Sequence, residues 1–409
     1  MNSLHKRTII ALIASSLLIG CAQNLQPLGS NLIDSKLAEL QRQFLLQSSA
    51  ERKFVELPED EQRENFAYVD REVVPTVMAR FETQPVTSSD DAADDPAIWI
   101  HPTDPNKSLI LATDKKAGVG VYDLEGNLKQ FVPAGLPNNI DLRQGVTVGD
   151  WTGDLAVTSN RVDNSVTLFS VAETGATIIG SFGADVEPYG ICLGRVGGMS
   201  ADDAIVAFVT YKSGLIQGYE IQSVHPAVKA MQIGSLSLSS QLEGCVHQDE
   251  TNSLFIGEEG AGIWQLKTRL SLDGPIDGLS EGVFDPPTKV DGVGELTGLV
   301  ADVEGVALYD NGEQQYLIAS SQGNDSYAVY DAAVPYDFRG RFRIGASAAS
   351  GVDGAQETDG IEANGAEMGD RFPLGIFVVQ DGFNAPLGTS QNFKVVDWRD
   401  IALVLDLPQ

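Results

Sequence analysis

The sequence is poor in histidine, cysteine and basic residues. It has four histidines and three cysteines in 409 residues, and its 27 lysines and arginines stand against 57 aspartates and glutamates. The histidines lack metal-ligand spacing, which argues against a zinc site. The formal net charge of −30 argues against nucleic acid, or an anionic membrane surface, as a partner. The charge suits a protein that holds cations, or one that stays soluble in salty surroundings.

Common phosphate-binding and phosphatase motifs are also absent. The sequence has no Gly-rich phosphate loop, no Cys-x5-Arg loop and no Arg-His-Gly-x-Arg motif. If the chain cleaves phosphate esters, we therefore expect the nucleophile to be a metal-activated water rather than a side chain.

An apolar run at the N-terminus is typical of a secretion signal. Two basic residues precede an apolar stretch over residues 8–19, which ends Leu18-Ile19-Gly20-Cys21. This ending resembles a bacterial lipobox, so we expect residues 1–20 to be removed and Cys21 to be lipidated. An ordinary signal peptide with an incidental cysteine is the alternative. The prediction places the protein in the cell envelope, anchored at the outer membrane if the organism has one, or else in the periplasm or outside the cell.

Residues 21–80 differ in composition from the rest of the chain. Apolar residues have helical spacing over residues 32–46, and residues 51–71 are highly charged. We interpret this segment as a tether with one or two short helices. A partner-binding helix is the alternative.

Two cysteines remain if Cys21 is lipidated. Cys192 and Cys245 both lie in apolar, strand-like surroundings. The sequence leaves two interpretations open, a disulfide in an oxidising compartment or two buried free thiols.

From residue 81 onward the sequence contains six copies of one β unit. Each copy has an apolar strand, a polar tip and a second short strand that ends in an apolar or aromatic pair. The copies begin about 46 to 62 residues apart. This pattern predicts an all-β fold over residues 81–409, a six-bladed β-propeller with four-stranded antiparallel blades around a central channel.

Two sets of polar residues recur with the copies. An acid stands where the first strand of each copy begins: Asp95, Asp141, Glu187, Glu243, Glu304 and Asp359. The tips that follow the next strand carry Lys115, Arg161, Lys212, Glu259, Gln322 and Asp381. Because the two positions lie at the same end of an antiparallel hairpin, we expect both sets on one face of the disc. Ordinary turn chemistry also favours acids and glycines at such places.

The combined charges indicate a chemistry. A ring of carboxylates favours Ca²⁺, which takes six to eight oxygen ligands in flexible geometry. The cations Lys115, Arg161 and Lys212 beside bound metal ions would suit a polyanion, most naturally phosphate. Neighbouring metal ions can also clamp an in-line displacement at phosphorus.

Several longer segments resemble the signatures of the β-propeller phytases. They are Asp91–Trp99, Asn138–Arg143, Ser159–Arg161, Ser320–Tyr327, Glu357–Ile361 and Gln391–Lys394. The resemblance covers roughly residues 80–409 and keeps the order of the family, whereas we place no counterpart for residues 22–80.

The resemblance implies an alkaline, calcium-dependent 3-phytase. Its substrate would be phytate or calcium phytate, and a calcium-held water would attack to release inorganic phosphate. We expect a monomer with several calcium ions, some structural and some catalytic.

The resemblance also implies the site residues. The calcium ligands would be Glu82, Asp94, Asp95, the Ile140 carbonyl, Glu243, Glu259, Asp302, Glu304, Gln322, Asp353, Asp359 and Asp381. The substrate-binding residues would be Lys115, Arg161, Tyr189 and Lys212, and the catalytic residues Lys115, Arg161, Glu243 and Glu259.

Some positions depart from the family or stand outside the repeats. The segment around Glu259 has fewer acids than expected, which predicts a weaker calcium site, and Gln380–Asn384 is slightly altered. Asp90 and Asp91 have no equivalents in the other copies, so we interpret them as solvated approach residues.

Two other functions stay open. A metal-dependent lactonase or esterase would use a mononuclear site and little cationic charge, which the three cations disfavour. A non-catalytic propeller would hold calcium for stability and bind an anionic ligand or a protein partner.

Overall fold

The strands of the chain form six β-sheets. The computed structural model describes residues 74–197, 203–270, 283–294, 297–384 and 389–408. The predicted signal peptide, Cys21 and the predicted helices of the extension lie outside the described residues. Within the described part we find no helix with the length and hydrophobicity that a membrane crossing requires.

Two short strands come first, and four sheets of four consecutive antiparallel strands follow, which we call blades 1 to 4. The opening strands are β1 (Thr76–Met78) and β2 (Phe81–Glu82). Blade 1 contains β3 (Ala93–Trp99), β4 (Leu109–Asp114), β5 (Gly118–Asp123) and β6 (Leu128–Pro133). Blade 2 contains β7 (Pro137–Val148), β8 (Trp151–Asn160), β9 (Ser165–Ala172) and β10 (Gly175–Gly183).

The next blades repeat this order. Blade 3 contains β11 (Pro188–Val196), β12 (Ala204–Tyr211), β13 (Leu215–Ser223) and β14 (Lys229–Ser237). Blade 4 contains β15 (Leu242–Gln248), β16 (Ser253–Glu258), β17 (Gly262–Lys267) and β18 (Thr288–Gly292). Blade 5 contains β19 (Val303–Asp310), β20 (Gln315–Ser321), β21 (Ser326–Asp331) and β22 (Phe338–Gly345). Blade 6 contains β23 (Ile361–Asn364), β24 (Ile376–Asp381) and β25 (Asn392–Asp397), and helix α1 (Trp398–Val404) follows it.

The two opening strands complete the last two blades. β2 pairs antiparallel with β25 as the fourth strand of blade 6, and β1 pairs parallel with β22 at the outer edge of blade 5. The first strand of each blade contacts that of the next, and β23 contacts β3. The circle of blades is therefore closed, and the predicted six-bladed β-propeller is confirmed. The sequence had placed residues 76–78 in the N-terminal extension, whereas their strand belongs to a blade edge.

Six apolar clusters lie between neighbouring blades, one at each interface. Middle strands such as β4 and β16 are buried along their whole length, because neighbouring blades cover both of their faces. Outer strands such as β14 are mostly exposed or half-buried. This packing holds the first strands rigidly around the channel and fixes the side chains that they carry.

The two cysteines of the propeller form a disulfide. Cys192 in β11 and Cys245 in β15 are bonded, with their Cα atoms 5.7 Å apart. Of the two interpretations that the sequence leaves open, the structure has the disulfide. It links the first strands of blades 3 and 4 across the blade interface.

Candidate active site

A break in strand register places one residue of each blade at the same end of the channel. In blades 1 to 5 the first strand makes one bridge to the last residue of the second strand and then shifts register. The residues directly after that bridge are Asp94, Asn138, Tyr189, Glu243 and Glu304. Asp359 takes this place in blade 6. Gly305, which follows Glu304, donates its N–H to the carbonyl of Asp359 (2.8 Å), and Gly360, which follows Asp359, donates its N–H to the carbonyl of Asp94 (3.0 Å). The same kind of bond thus links Glu304 to Asp359 and Asp359 to Asp94. We call these six residues the ring.

The ring corrects the acid pattern predicted from the sequence. Glu243, Glu304 and Asp359 stand where they were expected, but the other three acids do not. The ring positions of blades 1, 2 and 3 are held by Asp94, Asn138 and Tyr189 in place of Asp95, Asp141 and Glu187. The pattern failed because the ring positions of blades 2 and 3 carry no acid, so nearby acids of the sequence were assigned in their place. In blade 1 two aspartates are adjacent, and only the strand register identifies Asp94 as the ring residue.

The two displaced acids of blades 2 and 3 lie elsewhere. Glu187 is exposed and has a positive φ of 59°. Asp141 pairs with Arg143 at 3.2 Å and accepts a hydrogen bond from the Leu193 N–H at 2.7 Å. With Arg143 it lines a cavity of about 300 Å³ that the ring residues do not line. Asp141 therefore takes no part in the ring.

The predicted tips are correct in five of six blades. Lys115, Arg161, Lys212, Glu259 and Gln322 each directly follow the second strand of their blade. Asp381 instead ends β24, because the tip position of blade 6 is taken by Gly382.

Three glutamates from the ring and its neighbouring tip form a compact acidic group. Glu243, Glu259 and Glu304 are buried, and one oxygen of each lies within 4.8 Å of the others. Burial, followed by the charge of Glu243, raises the pKa of Glu259 to about 8. The same two causes hold the pKa of Glu304 well above its usual range. Asp302 adds a further negative charge near Glu259.

Blade 1 continues the acidic group around the channel. The Asn138 amide donates to Asp94 (3.3 Å) and Glu243 (2.8 Å), and so joins two ring carboxylates. Burial raises the pKa of Asp94 to about 7, although Lys115 opposes the shift. Burial also raises the pKa of Asp359 well above its usual range. Carboxylates this close together in a buried place need a cation to ionise fully.

Unpartnered oxygens show where a cation fits. Glu243 Oε2 and Glu259 Oε1 are buried and have no hydrogen-bond partner, and Asp94 Oδ2 is buried with the Lys115 ammonium nearby. Hard cations that take several carboxylate oxygens, such as Ca²⁺, would satisfy the unpartnered oxygens and lower the pKa values of the acids. The ring therefore fits calcium by its donor atoms and by its charge.

Basic and aromatic side chains border the acids. Lys115 Nζ lies 3.1 Å from Asp359 Oδ2 and 3.3 Å from Asp94 Oδ2. Arg161 Nη2 donates to the Lys115 carbonyl at 3.5 Å, while its Nε is buried without a partner. Lys212 Nζ sits 4.3 Å from the centre of the Tyr189 ring. The four predicted substrate-binding residues are thus all brought to the ring.

Asp95 and Ile140 lie next to each other and line the channel. Asp95 Oδ2 accepts a hydrogen bond from the Ile140 N–H at 3.0 Å, and burial raises the pKa of Asp95 well above its usual range. Gly360 passes close by, since a Cβ at that position would lie 2.2 Å from Asp95 Oδ1. Glycine is therefore required where blade 6 meets blade 1. Gln322 donates to Asp359 Oδ1 at 2.8 Å and so reaches the ring itself.

Three predicted calcium ligands form a separate group around a lysine. Lys394 in β25 is fully buried, and its Nζ contacts Glu82 (2.6 Å), Asp381 (3.1 Å) and Asp353. These residues lie where β2 joins blade 6. The sequence prediction missed Lys394 as an internal cation, although a lysine inside a strand that is otherwise buried is a usable signal.

Comparisons with known proteins find related sequences. A family model described as Phytase matches residues 45–408. The match begins inside the segment for which the sequence resemblance found no counterpart. A 3-phytase from Bacillus subtilis (strain 168) is 38% identical over 346 residues, which cover 82% of this chain and 87% of the relative.

Solved structures resemble the chain more distantly. A functionally unknown protein from Desulfotomaculum acetoxidans DSM 771 is 15% identical, with a TM-score of 0.40 over 60% of this chain and 70% of its own. The β-propeller domain of Cps50 (Swd1) from Myceliophteria thermophila is 11% identical, with a TM-score of 0.40 over 75% of this chain and 83% of its own.

Proposed function

Because this chain belongs to the phytase family, we propose that it releases inorganic phosphate from phytate at the ring, with calcium ions as cofactors. It is a phosphoric monoester hydrolase, as the family match and the 38% identical 3-phytase indicate. The residue assignment is our proposal. It rests on one observation: buried carboxylates with unpartnered oxygens lie directly beside three cationic side chains at the same end of the channel.

We assign the catalytic calcium ions to the acids of the ring and its neighbours. These ligands are Asp94, Glu243, Glu259, Asp302, Glu304, Gln322 and Asp359. Asp95 and the Ile140 carbonyl would hold an ion further along the channel wall. When bound, calcium would neutralise phosphoryl oxygens and supply the activated water that the reaction consumes.

We assign phosphate recognition to Lys115, Arg161, Lys212 and Tyr189. Burial alone would lower the pKa of Lys115, but the carboxylates around it raise the pKa, so the side chain stays charged. Arginine and lysine side chains suit phosphate oxygens because their N–H groups make charge-assisted hydrogen bonds. Burial and the nearby acids raise the pKa of Tyr189, so its hydroxyl stays protonated and can donate to a phosphate oxygen.

Glu243 and Glu259 would take part in the transfer of the proton from the attacking water. Glu259 Oε1 has no hydrogen-bond partner, so this oxygen is available to the attacking water. With calcium bound, the pKa of Glu259 would fall, and its carboxylate could take the proton of that water. Glu243 Oε1 is held by the Asn138 amide at 2.8 Å, which orients the glutamate for this task.

The group around Lys394 would hold a structural calcium ion. Glu82, Asp353 and Asp381 carry three negative charges against the single positive charge of Lys394. Asn392 Oδ1 is buried and has no hydrogen-bond partner, and the buried Asp381 Oδ2 has the Lys394 ammonium 3.1 Å away. One divalent ion would balance the remaining charge and satisfy these oxygens.

A charge-matched pair of variants tests the ring assignment. Glu304→Gln removes a ring carboxylate, whereas Glu187→Gln removes an exposed acid that shares the sequence pattern but lies outside the ring. We expect Glu304→Gln to lose calcium affinity in calorimetry and to lose phosphate release from phytate, and Glu187→Gln to match the wild type in both. Equal behaviour of the two variants would overturn the assignment.

We also propose that the protein is exported and anchored through a lipid on Cys21. The Leu-Ile-Gly-Cys ending supports this, and the disulfide fits an oxidising compartment. Metabolic labelling with a fatty acid should mark the wild type and leave Cys21→Ser unlabelled; label on both would contradict the proposal.

A further inference from the structure

Asp91 contacts the ammonium of Lys115 from the side that faces solvent, and Asp91 has no equivalent in the other copies of the repeat. Asp91 Oδ1 lies 2.6 Å from Lys115 Nζ, closer than either ring carboxylate. The Asp91 side chain is 72% exposed, whereas those of Asp94 and Asp359 are 1% and 13% exposed. From the sequence we had interpreted Asp91 as a solvated approach residue, and its exposure agrees with that, but it also contacts Lys115.

We propose that Asp91 is a positioning residue whose carboxylate occupies the side of the Lys115 ammonium to which phosphate binds. The substrate phosphoryl group, or the phosphate product, must displace this carboxylate from Lys115. The proposal rests on the proposed function, because it takes Lys115 as the phosphate-binding residue.

The donor count of the lysine supports the proposal. An ammonium group has three N–H donors, and three carboxylates surround that of Lys115: it donates to Asp359 Oδ2 at 3.1 Å, while Asp91 Oδ1 and Asp94 Oδ2 lie 2.6 and 3.3 Å away. The two ring carboxylates reach Lys115 from inside the channel, and Asp91 reaches it from the exposed side. A phosphoryl oxygen that arrives from solvent therefore competes with Asp91 first.

The backbone around Asp91 is fixed, which distinguishes it from a mobile surface charge. Before it, the Ser88 N–H donates to Asp114 Oδ2 at 3.0 Å, and Lys116 Nζ donates to the Ser89 carbonyl at 2.6 Å. After it, the Ala92 and Ala93 N–H groups both donate to Gln391 Oε1, at 2.7 and 2.9 Å. These bonds hold the main chain on both sides of Asp91, from which its side chain reaches Lys115.

Calcium binding would make Asp91 more important for Lys115. The carboxylates of Asp94 and Asp359 are assigned to calcium, and a carboxylate that neutralises a metal ion attracts an ammonium less. Asp91 is then the one full negative charge left among the three partners of Lys115. The displacement of Asp91 by phosphate would therefore determine how tightly anions bind to the calcium-bound enzyme.

Product inhibition at saturating calcium tests the proposal. Asp91→Asn should lower the inhibition constant of inorganic phosphate about two- to fivefold, the size of a partly exposed ion pair, and should lower KM for phytate while kcat changes little. Asp91→Glu, which keeps the charge, should restore wild-type values. Asp91→Ser removes the charge with a smaller side chain and gives the same readout if Asp91→Asn does not fold.

The neighbouring residue provides a matched control. Asp90 carries the same charge, and its only hydrogen bond in the described part of the chain is a 3.3 Å contact with the Ser89 hydroxyl. Its φ of 60° suits asparagine as well as aspartate, so Asp90→Asn should fold and keep the wild-type inhibition constant. An unchanged or higher inhibition constant in Asp91→Asn, or an equal shift in Asp90→Asn, would overturn the proposal.

A further variant separates this proposal from the proposed function. Lys115→Ala should weaken phosphate inhibition strongly. If it does so while Asp91→Asn behaves like Asp90→Asn, the phosphate site stands and the role of Asp91 is wrong. If Lys115→Ala leaves phosphate inhibition unchanged, the phosphate site itself is wrong and the role of Asp91 falls with it.

Discussion

Arg161 and Lys115 lie side by side, but they differ in what else they hold. Arg161 has one long contact with the Lys115 carbonyl and an unpartnered buried Nε, whereas Lys115 neutralises three carboxylates. Removal of Arg161 should therefore affect anion recognition alone. Removal of Lys115 should also leave buried acids without a counter-charge.

Arg161→Ala is expected to lower kcat/KM for phytate about 10- to 100-fold, the size of one lost charged hydrogen bond. Its melting temperature should stay close to that of the wild type, because Arg161 makes few structural contacts. Lys129→Ala is the control, since Lys129 is an exposed cation of strand β6 that pairs with Asp123 and has no assigned role at the ring. Unfolding of Arg161→Ala would show that the residue is structural.

The ring acids predict how stability and calcium binding depend on pH. The pKa values of Asp94 and Glu259 are raised to about 7 and about 8, whereas an unfolded carboxyl titrates near its ordinary value of about 4. The calcium-free folded state therefore binds more protons than the unfolded state over this range. Its stability should fall as the pH rises from about 5 to about 9.

Melting curves at several pH values with and without calcium check this prediction. Calcium competes with these protons, so the rise in melting temperature on calcium addition should grow from pH 5 to pH 9. A calcium-free melting temperature that rises through pH 7 and 8 would contradict the assignment of these carboxyls.

At the scale of the elements, Lys394 connects the N-terminal strand to the last blade. Its ammonium is buried between Glu82 of β2, Asp381 of β24 and Asp353. Lys394→Met keeps the length of the side chain but leaves three acids without the cation. We expect a loss of about 3–5 kcal/mol in the free energy of unfolding, measured by denaturant melts in calcium-free buffer.

Added calcium should recover part of that loss if the same acids also bind the ion. Lys129→Met provides the comparison, because Lys129 lies on the exposed strand β6 and pairs with Asp123. It should change stability by less than about 1 kcal/mol. Similar losses in both variants would show that the buried group has no special role.

The repeat pattern predicted the elements better than the side chains they carry. The spacing of apolar runs identified six blades, and five tip residues followed their strands as expected. In blades 2 and 3 the ring positions hold Asn138 and Tyr189 rather than acids, so a pattern of acids could not identify them. In blade 1 only the strand register separates Asp94 from Asp95. The contacts of Lys394 with Glu82 and Asp353 join distant parts of the chain, so no local pattern predicts them.

At the scale of the whole molecule, the propeller collects charge that no single blade could hold. Each blade contributes one ring residue, and the six apolar clusters between blades keep these residues in place. The formal net charge of −30 agrees with a protein that binds several calcium ions. Strand β2 completes blade 6, which carries Asp359 of the ring, so this blade depends on the N-terminal segment as well.

Calcium should therefore control both the fold and the reaction. Ions that bind only the native state add stability, and in the proposed function the reaction would use the same ions at the ring. The most direct measurement is phosphate release from phytate by the purified protein in excess chelator, followed by addition of calcium. We predict no release in chelator and full recovery with calcium; release that persists in excess chelator would contradict a calcium-dependent site at the ring.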